Sequence, residues 1–414
     1  MSAFDPRRWF AAVLACPDCG LLQLERPLAG DLLVSCRRCD AVLRRHAPGS
    51  LPRAVALNLA ALVLFGIANF WPFLAFTFEG RGQVVSLASG VVRLWQEGMP
   101  LLAALVLGAS ILFPLVKMSA VLWALGPLLL ERRVPGQPTA LRLADALRAW
   151  SMLDVFLLAV IVAWVKLADL AALTPGPGLW AFVGTLLLST AADATLDHHD
   201  FWQRLGPQAT LARLATAVPQ RLAACPLCGQ IAPAGGLAGA RCPRCGDRLA
   251  PPDPTMLGRS FALLIAAIAL YLPANLLPVM SVTSLGRTEP STILGGVVFL
   301  VEHGMIPIAG VVFVASVLVP VFKFLALGIL LATTARASRW RPLERTRLWR
   351  LLEFVGRWSM VDVFVVALLV SLVDMGALAT IEAGAGIAAF AATVVLTMLA
   401  SASFDPRLIW KVPR

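Results

Sequence analysis

Charged residues are scarce in this chain of 414 residues. Asp, Glu, Lys and Arg make up 14% of it, whereas 59% of the residues are hydrophobic. Soluble domains carry about a quarter charged residues, and a single-core soluble fold could not bury so much apolar surface. The composition excludes ordinary soluble, collagen-like, disordered and disulfide-scaffold proteins. It indicates that the lipid bilayer surrounds most of the chain.

Sequence motifs for enzymatic chemistry are also lacking. The chain has no GxxxxGK[ST] loop, no GxGxxG after a strand, and no Ser-His-Asp or metalloprotease signature. We therefore predict that the protein is not an enzyme and binds no nucleotide or nucleic acid, and that this chain by itself does not carry out ATP-driven transport. The four histidines have no repeat partner, and we expect solvated loop residues at His46, His198, His199 and His303.

Long apolar runs are abundant. A transmembrane helix needs about 20 mostly apolar residues, and eight runs approach or exceed that length. They lie at 54–76, 98–130, 150–173, 178–196, 259–280, 304–333, 358–379 and 385–403. The second and sixth runs are long enough to tilt or kink, and Pro114 and Pro320 are the predicted kink points.

The basic residues predict the orientation in the membrane. Of the 35 Lys and Arg residues, 29 lie in alternate segments, namely 1–53, 131–149, 197–259, 334–357 and 404–414. Cytoplasmic segments carry the excess of basic residues in membrane proteins. We therefore expect a multi-pass protein of the bacterial inner membrane with both termini in the cytoplasm. The apolar run at 9–15 lies at the bottom of the length range of signal peptides, about 7–15 residues, and we expect no cleavage there.

The second half of the sequence repeats the first. Lys117 recurs as Lys323, 206 positions later, and Trp150 recurs as Trp358 at an offset of 208. Further matches in the same order are Asn69 with Asn275, Pro72 with Pro278, Pro114 with Pro320, Asp154 with Asp362, and Trp202 with Trp410. Each half has four predicted spans, so both enter the membrane from the same side. We predict parallel repeats related by a pseudo-twofold axis along the membrane normal, with a site on the axis or between the halves.

All eight cysteines occur in CxxC pairs, and each half is preceded by two such pairs. The first set is Cys16, Cys19, Cys36 and Cys39, and the second is Cys225, Cys228, Cys242 and Cys245. Two CxxC pairs complete a tetrahedral four-thiolate site, which predicts a structural zinc ribbon. Rubredoxin-like iron or redox chemistry is the alternative. A cytoplasmic location agrees with either metal, because that compartment disfavours structural disulfides.

Four charged residues lie within the predicted spans at repeat-related positions. Inferred depth places Lys117 beside Asp154 and Lys323 beside Asp362, all in the inner leaflet. Charges inside a bilayer are costly and normally face a partner or a wet cavity. Each pair is interpreted as a structural clamp or as a participant in proton or substrate coupling, and both roles can coexist.

Other polar residues in the spans are weaker candidates. Asn69 and Asn275 lie one turn before Pro72 and Pro278, and we predict helix-interrupting polar sites there. Asp193 and Asp374 have no acidic counterpart in the other half. The basic segments 201–224 and 336–358 have apolar residues at near-helical spacing and predict amphipathic helices on membrane lipid.

These features combine into one architecture. We predict an all-α polytopic membrane protein with two parallel tandem repeats of four transmembrane helices, each preceded by a small cytoplasmic zinc ribbon. The predicted units are a first ribbon (1–50), a first four-helix module (51–200), an amphipathic linker with the second ribbon (201–255) and a second module (256–414).

Two CxxC ribbons, each followed by four spans with PxxK and W-S-M-[LV]-D motifs, resemble the paraquat-inducible protein A family. The C-terminal sequence Ser403-Phe404-Asp405-Pro406-Arg407 is similar to the end of that family's second half, and the first half departs from it at Asp197-His198-His199. The resemblance implies a bacterial inner-membrane protein that exchanges phospholipid with a periplasmic MCE-domain tunnel. It also implies a polar network at Lys117, Asp154, Lys323 and Asp362.

Three functions remain open on the sequence. The first is a lipid-transport subunit without ATPase activity, driven by proton movement or not. The second is a scaffold that anchors a periplasmic tunnel without transporting anything. The third is a redox-responsive membrane regulator that uses the cysteine sets.

Overall fold

The computed structural model describes residues 13–24, 33–45, 49–78, 81–167, 172–205, 222–225, 227–229, 231–233, 241–242, 244–247, 255–284, 287–372 and 379–411. Within these residues the fold is mainly helical, and seven helical segments are long and apolar enough to cross a membrane. They are Ser50–Phe70, Pro100–Leu129, Gln137–Val165, Thr255–Leu276, Ala309–Ala335, Pro342–Leu372 and Ala385–Ala402. The eighth predicted run forms a helix of 19 residues, Pro177–Thr195, which is not among the seven.

The helices of the two halves follow the same order. The first half contains α1 (Ser50–Phe70), α2 (Ser89–Gln96), α3 (Pro100–Leu107), α4 (Phe113–Leu129), α5 (Gln137–Arg148), α6 (Leu153–Leu167), α7 (Pro177–Thr195) and α8 (His198–Leu205). The second contains α9 (Thr255–Leu276), α10 (Ile293–Glu302), α11 (Ile306–Phe313), α12 (Val319–Ala335), α13 (Pro342–Gly356), α14 (Val361–Leu372) and α15 (Ala385–Ala402). Short 3₁₀ turns lie at Arg357–Met360 and Pro406–Trp410.

The helical segments Pro100–Leu129 and Ala309–Ala335 each contain a π-helical turn that ends two residues before a proline. These turns are Gly108–Leu112 before Pro114, and Val314–Leu318 before Pro320. Proline has no N–H to donate to the preceding turn and crowds the carbonyl there, so the helix widens locally. The irregularity predicted at the two prolines is therefore present in both halves.

The strands correct the all-α prediction. Short hairpins form the cysteine ribbons, with β1 (Val13–Ala15), β2 (Leu22–Leu24), β3 (Leu33–Ser35) and β4 (Val42–Arg45) in the first, and β8 (Leu222–Ala224) and β9 (Ile231–Pro233) in the second. Each half also has a three-stranded antiparallel sheet. The sheets contain β5 (Leu74–Phe78), β6 (Arg81–Val85) and β7 (Ala172–Pro175), and β10 (Met280–Ser284), β11 (Arg287–Ser291) and β12 (Ala379–Ala383).

The sheets and the ribbons lie at opposite ends of the helical bundle, which we name the sheet end and the ribbon end. The sheets form because the segment after the first span of each half pairs with the segment before the last span, as in Thr77 opposite Ala172. Such strands of four or five residues are too short to stand out beside long apolar helices.

The two halves meet through α6 and α14. In each half the first and last long helices pack along each other, α1 with α7 and α9 with α15. The rings of Phe156 on α6 and Phe364 on α14, which are repeat-related, have centroids 5.4 Å apart. Every residue of α14 is buried except Asp362, which is half-buried. A packed apolar core therefore surrounds the pseudo-twofold axis.

Candidate metal centres and intramembrane polar site

Each cysteine set is built from two tight turns. In the first set, Gly20 N–H and Asp40 N–H each donate to the carbonyl of the first cysteine in their own turn, at 2.9 and 3.0 Å. Both residues have positive φ, 70° and 57°. Gly229 and Gly246 repeat this geometry in the second set. Glycine adopts the left-handed conformation at little cost, which explains the glycine after three of the four CxxC pairs.

The donor geometry of both sets fits a tetrahedral metal. In each set the four sulfurs lie within 4.8 Å of one another, and all eight cysteines are buried free thiols. Zinc–thiolate bonds of about 2.3 Å in a tetrahedron hold neighbouring sulfurs about 3.8 Å apart. The Sγ atoms of Cys16 and Cys39 are 3.4 Å apart, and those of Cys228 and Cys242 are 3.5 Å apart. Both distances are too long for a disulfide, and both suit a shared metal ion.

Metal binding to the first set has to displace protons. Burial raises the pKa of the Cys16 thiol, and burial also raises the pKa of the Cys19 thiol to about 12. Only thiolates ligate zinc or iron, so binding converts these thiols to thiolates. The donor set is the same for either metal.

Lys117 pairs with an aspartate other than the one that the sequence favoured. Its Nζ donates to Asp193 Oδ2 at 2.5 Å, which joins α4 to α7. The predicted pairing of Lys117 with Asp154 is therefore wrong. Asp193 had been a weak candidate because its repeat equivalent is Ser401. One residue after Lys117, the Met118 carbonyl accepts from the buried Asn58 amide at 2.8 Å, a second polar contact that sequence reasoning missed.

Lys323 lies in a different environment from Lys117. Its side chain is buried, and its Nζ donates to Gly356 O at 3.2 Å and to Ser359 Oγ at 3.1 Å. Both acceptors lie at the break between α13 and α14, just before Asp362. These hydrogen bonds connect Lys323 to the predicted W-S-M-V-D motif, but they go to a carbonyl and a hydroxyl rather than to the expected carboxylate. The repeat-related lysines thus have different partners.

Asp154 and Asp362 occupy the same place in each half. Each lies in the first turn of its helix, α6 or α14, and is half-buried. A carboxylate in the first turn interacts favourably with the positive end of the helix dipole. This position in the first turn supports a structural role for the two aspartates, and that role does not require a lysine.

The predicted Asn and Pro sites close helix ends. Asn69 Nδ2 donates to the carbonyl of Phe65 at 2.7 Å, and Asn275 repeats this contact with Tyr271 at 2.8 Å. Three residues after each asparagine, the carbonyl of a proline accepts a hydrogen bond from a glycine N–H at 2.9 Å. These bonds join Pro72 to Gly178 and Pro278 to Gly386.

The glycines beside these bonds were not singled out from the sequence. A Cβ on Gly176 would lie 2.2 Å from Pro72 O, and a Cβ on Gly384 would lie 2.2 Å from Pro278 O. A side chain cannot fit at either position. The sequence signal for this close backbone approach was the short Gly-containing turn before α7 and before α15. The Asn and Pro residues therefore serve packing at the sheet end.

The structure describes only part of the remaining candidates. His303 is exposed, and its Nδ1 is 2.8 Å from Phe299 O. His46 and Asp374 lie outside the described residues, and the side chains of His198 and His199 are also outside them. The predicted amphipathic segment 201–224 is described only at 201–205 and 222–224, whereas α13 forms within 336–358.

The halves form two seams beside the axis. In the first seam, α2 packs against α14, and a Cβ on Gly90 would lie only 2.9 Å from Ala367 O. At the sheet end of this seam, Ala383 N–H of the second half donates to Glu97 Oε2 at 3.1 Å. Burial raises the pKa of Glu97. We name this contact between α2 and α14 the closed seam.

The second seam differs from the first at two repeat-related positions. Gly296 on α10 corresponds to Gly90, and outside its own helix backbone and chain neighbours a Cβ there would find one described heavy atom within 4 Å, Ser291 Oγ at 3.7 Å. Ile161 on α6 is 52% exposed, whereas its equivalent on α14, Leu369, is 3% exposed. Helix α10 packs mainly on α11 of its own half. We name the region between α6 and α10 the open seam.

The family model for "Paraquat-inducible protein A" matches the chain twice, over residues 51–206 and 257–413. The chain belongs to the paraquat-inducible protein A family. The double match confirms the tandem repeat and covers both halves described above. Both cysteine ribbons fall outside the matched ranges.

Several relatives of the paraquat-inducible protein A family align with nearly the whole chain. "Intermembrane transport protein PqiA" of Escherichia coli (strain K12) is 33% identical over 96% of this chain and 95% of that protein. "Lipophilic envelope-spanning tunnel protein A" of the same strain is 32% identical over 95% and 90%. "Probable intermembrane transport protein" of Haemophilus influenzae is 30% identical over 97% and 96%. No solved structure matches this chain.

Proposed function

We propose that this chain is the inner-membrane subunit of a system that moves phospholipid between membranes, and that it exchanges lipid with a periplasmic MCE-domain tunnel. The relatives' names, which refer to intermembrane transport and to an envelope-spanning tunnel, support this role. The chain itself acts as a transporter subunit rather than as an enzyme. The proposal assigns no direction to the lipid flow.

In this proposal eight helices cross the membrane, and both termini face the cytoplasm. Helix α7, with 19 residues, counts as a span because it packs along α1 as the 18-residue α15 packs along α9. The segments that hold 29 of the 35 basic residues then lie on the cytoplasmic side, as the positive-inside rule requires. The ribbons hold zinc on that side, and the sheets face the periplasm.

The open seam is the observation that supports lipid passage. It gives the bilayer access to the contact surface of the two halves at α6, where Ile161 is exposed. The repeat-related seam is sealed at Gly90 and Ala367. Because the pseudo-twofold axis is filled by Phe156 and Phe364, a lipid entering the protein would pass beside the axis, along the open seam.

Reconstitution tests the transport role. Vesicles that contain the chain and a fluorescent phospholipid are mixed with a soluble MCE-domain tunnel, and lipid on the tunnel is measured after separation. We expect transfer above the level of vesicles without the chain. A tunnel that binds the vesicles but gains no lipid would instead establish the scaffold function, which the filled axis favours.

Proton coupling is the finer part of the proposal. Asp154→Asn and Asp362→Asn are assayed singly, with an imposed proton gradient of varied size. Coupling through these carboxylates predicts transfer that depends on the gradient in the parent and not in the variants. Transfer that is independent of the gradient in all three proteins would remove coupling and leave lipid transport intact.

Metal analysis separates the structural role of the ribbons from the redox alternative. Two four-cysteine sites require about two zinc ions per chain. Zinc at that ratio, without iron and without a reversible change in thiol content, would dispose of the redox-regulator function. Stoichiometric iron would contradict the zinc assignment.

A further inference from the structure

The first ribbon is attached to one half of the protein and docked on the other. A few residues join it to α1, yet Arg350 on α13 of the second half contacts it. Arg350 Nη2 is 2.7 Å from Asp18 Oδ2, and it donates to Cys39 O at 2.9 Å. Asp18 lies in the first CxxC turn and Cys39 in the second. One arginine of the second half therefore connects both turns of the first metal site.

The C-terminal 3₁₀ turn completes the docking surface for the first ribbon. The guanidinium carbon of Arg38, which lies between Cys36 and Cys39, is 4.5 Å from the ring centre of Trp410. Trp410 Nε1 donates to Thr346 on α13 at 3.0 Å. Leu343 and Trp410 also pack on the buried cysteines. Ionic, aromatic and apolar contacts thus hold the ribbon on the second half.

The second ribbon makes the reciprocal contact. Its four cysteines belong to one buried cluster with Leu51, Phe201 and Trp202 of the first half. Trp202 is the repeat equivalent of Trp410. Arg142 on α5 is the equivalent of Arg350, and its Nη1 would lie 3.9 Å from a Cβ on Gly246, next to Cys245. In each half, therefore, the ribbon docks beside an arginine and a tryptophan at repeat-related positions.

We propose that the two metal ribbons are latches that hold the halves together at the ribbon end, with Arg350 and Arg142 as their positioning residues. The first ribbon is joined by the chain to the first half and docks on the second half. The second ribbon lies between the two halves in the sequence and docks on the first half. Metal binding orders the two turns of a ribbon, and the arginine recognises that ordered arrangement. The family model does not include the ribbons, and the latch does not depend on what the protein transports.

Metal release from the full-length protein tests this inference. A chelator is added to the purified chain, and the release of both metal equivalents is followed over time. Residues that position metal ligands change metal affinity by about 10–100-fold when they are removed. We expect Arg350→Met to release one of the two equivalents at least about tenfold faster, Arg142→Met to accelerate the other, and Asp18→Asn to reproduce Arg350→Met.

The matched control is Arg347→Met. Arg347 lies on the same helix and is 3.4 Å from Asp40, but both side chains are more than half exposed, so release should not change. Asp18→Asn decides the question if Arg350→Met fails to fold. Hydrogen exchange supplies a second readout, because metal removal should lower protection in α13 and in residues 406–410. Unchanged release in Asp18→Asn, unchanged protection of α13, or a chain purified without metal would each overturn the proposal.

Discussion

Phe156 and Phe364 occupy the same position in the two halves and contact each other edge to face, with ring centroids 5.4 Å apart and planes at 72°. Contact between repeat-related residues places them on the pseudo-twofold axis. Two fully buried aromatic rings close that axis to lipid and water. The differences between the halves therefore have to be sought beside the axis, in the two seams.

Repeat-related glycines should respond differently to the same substitution. Gly90→Ala places a Cβ 2.9 Å from the backbone oxygen of Ala367, so the closed seam has to shift, and we expect lower thermal stability. Gly296→Ala adds a Cβ whose contact with Ser291 Oγ, at 3.7 Å, is an ordinary van der Waals distance, and the higher helix propensity of alanine stabilises by up to about 1 kcal/mol. Thermal unfolding of both variants in the same detergent tests the contrast. Equal destabilisation would contradict the assignment of open and closed seams.

Glu97 should make the closed seam sensitive to pH. Burial raises its folded-state pKa, and Glu382 raises it further, although Ala383 N–H and Arg93 oppose this shift. A carboxyl with a raised folded pKa favours folding when protonated, so its effect on stability becomes less favourable as the pH rises through the window above the ordinary value of 4.5. We expect Glu97→Gln to flatten the pH profile of unfolding in this window.

The control is Glu97→Ala, which removes the acceptor of the Ala383 N–H and should lower stability at every pH. Glutamine keeps a carbonyl oxygen for that bond. A Glu97→Gln profile as steep as that of the parent would show that another group titrates in this window.

The charge pair of the first half should couple in a double-mutant cycle. Lys117 and Asp193 are 12% and 29% exposed, between the fully buried and surface cases, so we expect a coupling free energy of about 2 kcal/mol. The cycle uses Lys117→Met, Asp193→Ser and the double variant. Serine is chosen at position 193 because the repeat-equivalent residue is Ser401. Asp154→Asn is the matched control, and its coupling to Lys117→Met should be near zero.

Lys323 should be dispensable for stability. Its ammonium is buried with a carbonyl and a hydroxyl as acceptors, and replacement of buried charges by apolar side chains is often neutral or stabilising. We predict that Lys323→Met retains or raises the thermal stability, whereas Ser359→Ala leaves the ammonium with one acceptor fewer and lowers it. If Lys323 has a part in transport, Lys323→Met loses lipid transfer while it remains folded. A strongly destabilised Lys323→Met would instead identify a structural clamp.

The sequence predicts the features that composition and spacing encode directly. The helix positions follow from the apolar runs, the tandem repeat from the paired motifs, and the two four-cysteine sets from the CxxC spacing. The sheets were missed because strands such as β5 gain their stability from pairing with distant β7, which a local pattern does not reveal.

Contacts that break the repeat could not be inferred from it. The repeat favoured Asp154 as the partner of Lys117, whereas the structure selects Asp193, which has no acidic equivalent. Likewise, identical glycines at 90 and 296 gave no sign that one seam closes and the other stays open. The docking of the first ribbon on Arg350, 332 residues away from Asp18, depends on tertiary packing alone.

Lipid transfer through a blocked seam tests the central claim most directly. Gly296→Trp fills the open seam, whereas Val298→Trp adds the same side chain about 200° around α10, on a face that already exposes Val298 by 54%. Both variants are assayed in the vesicle-to-tunnel experiment after their metal content and thermal stability have been matched to the parent. We predict that Gly296→Trp loses most of the transfer and that Val298→Trp retains it. Transfer at the parental rate in Gly296→Trp would contradict passage of lipid along the open seam.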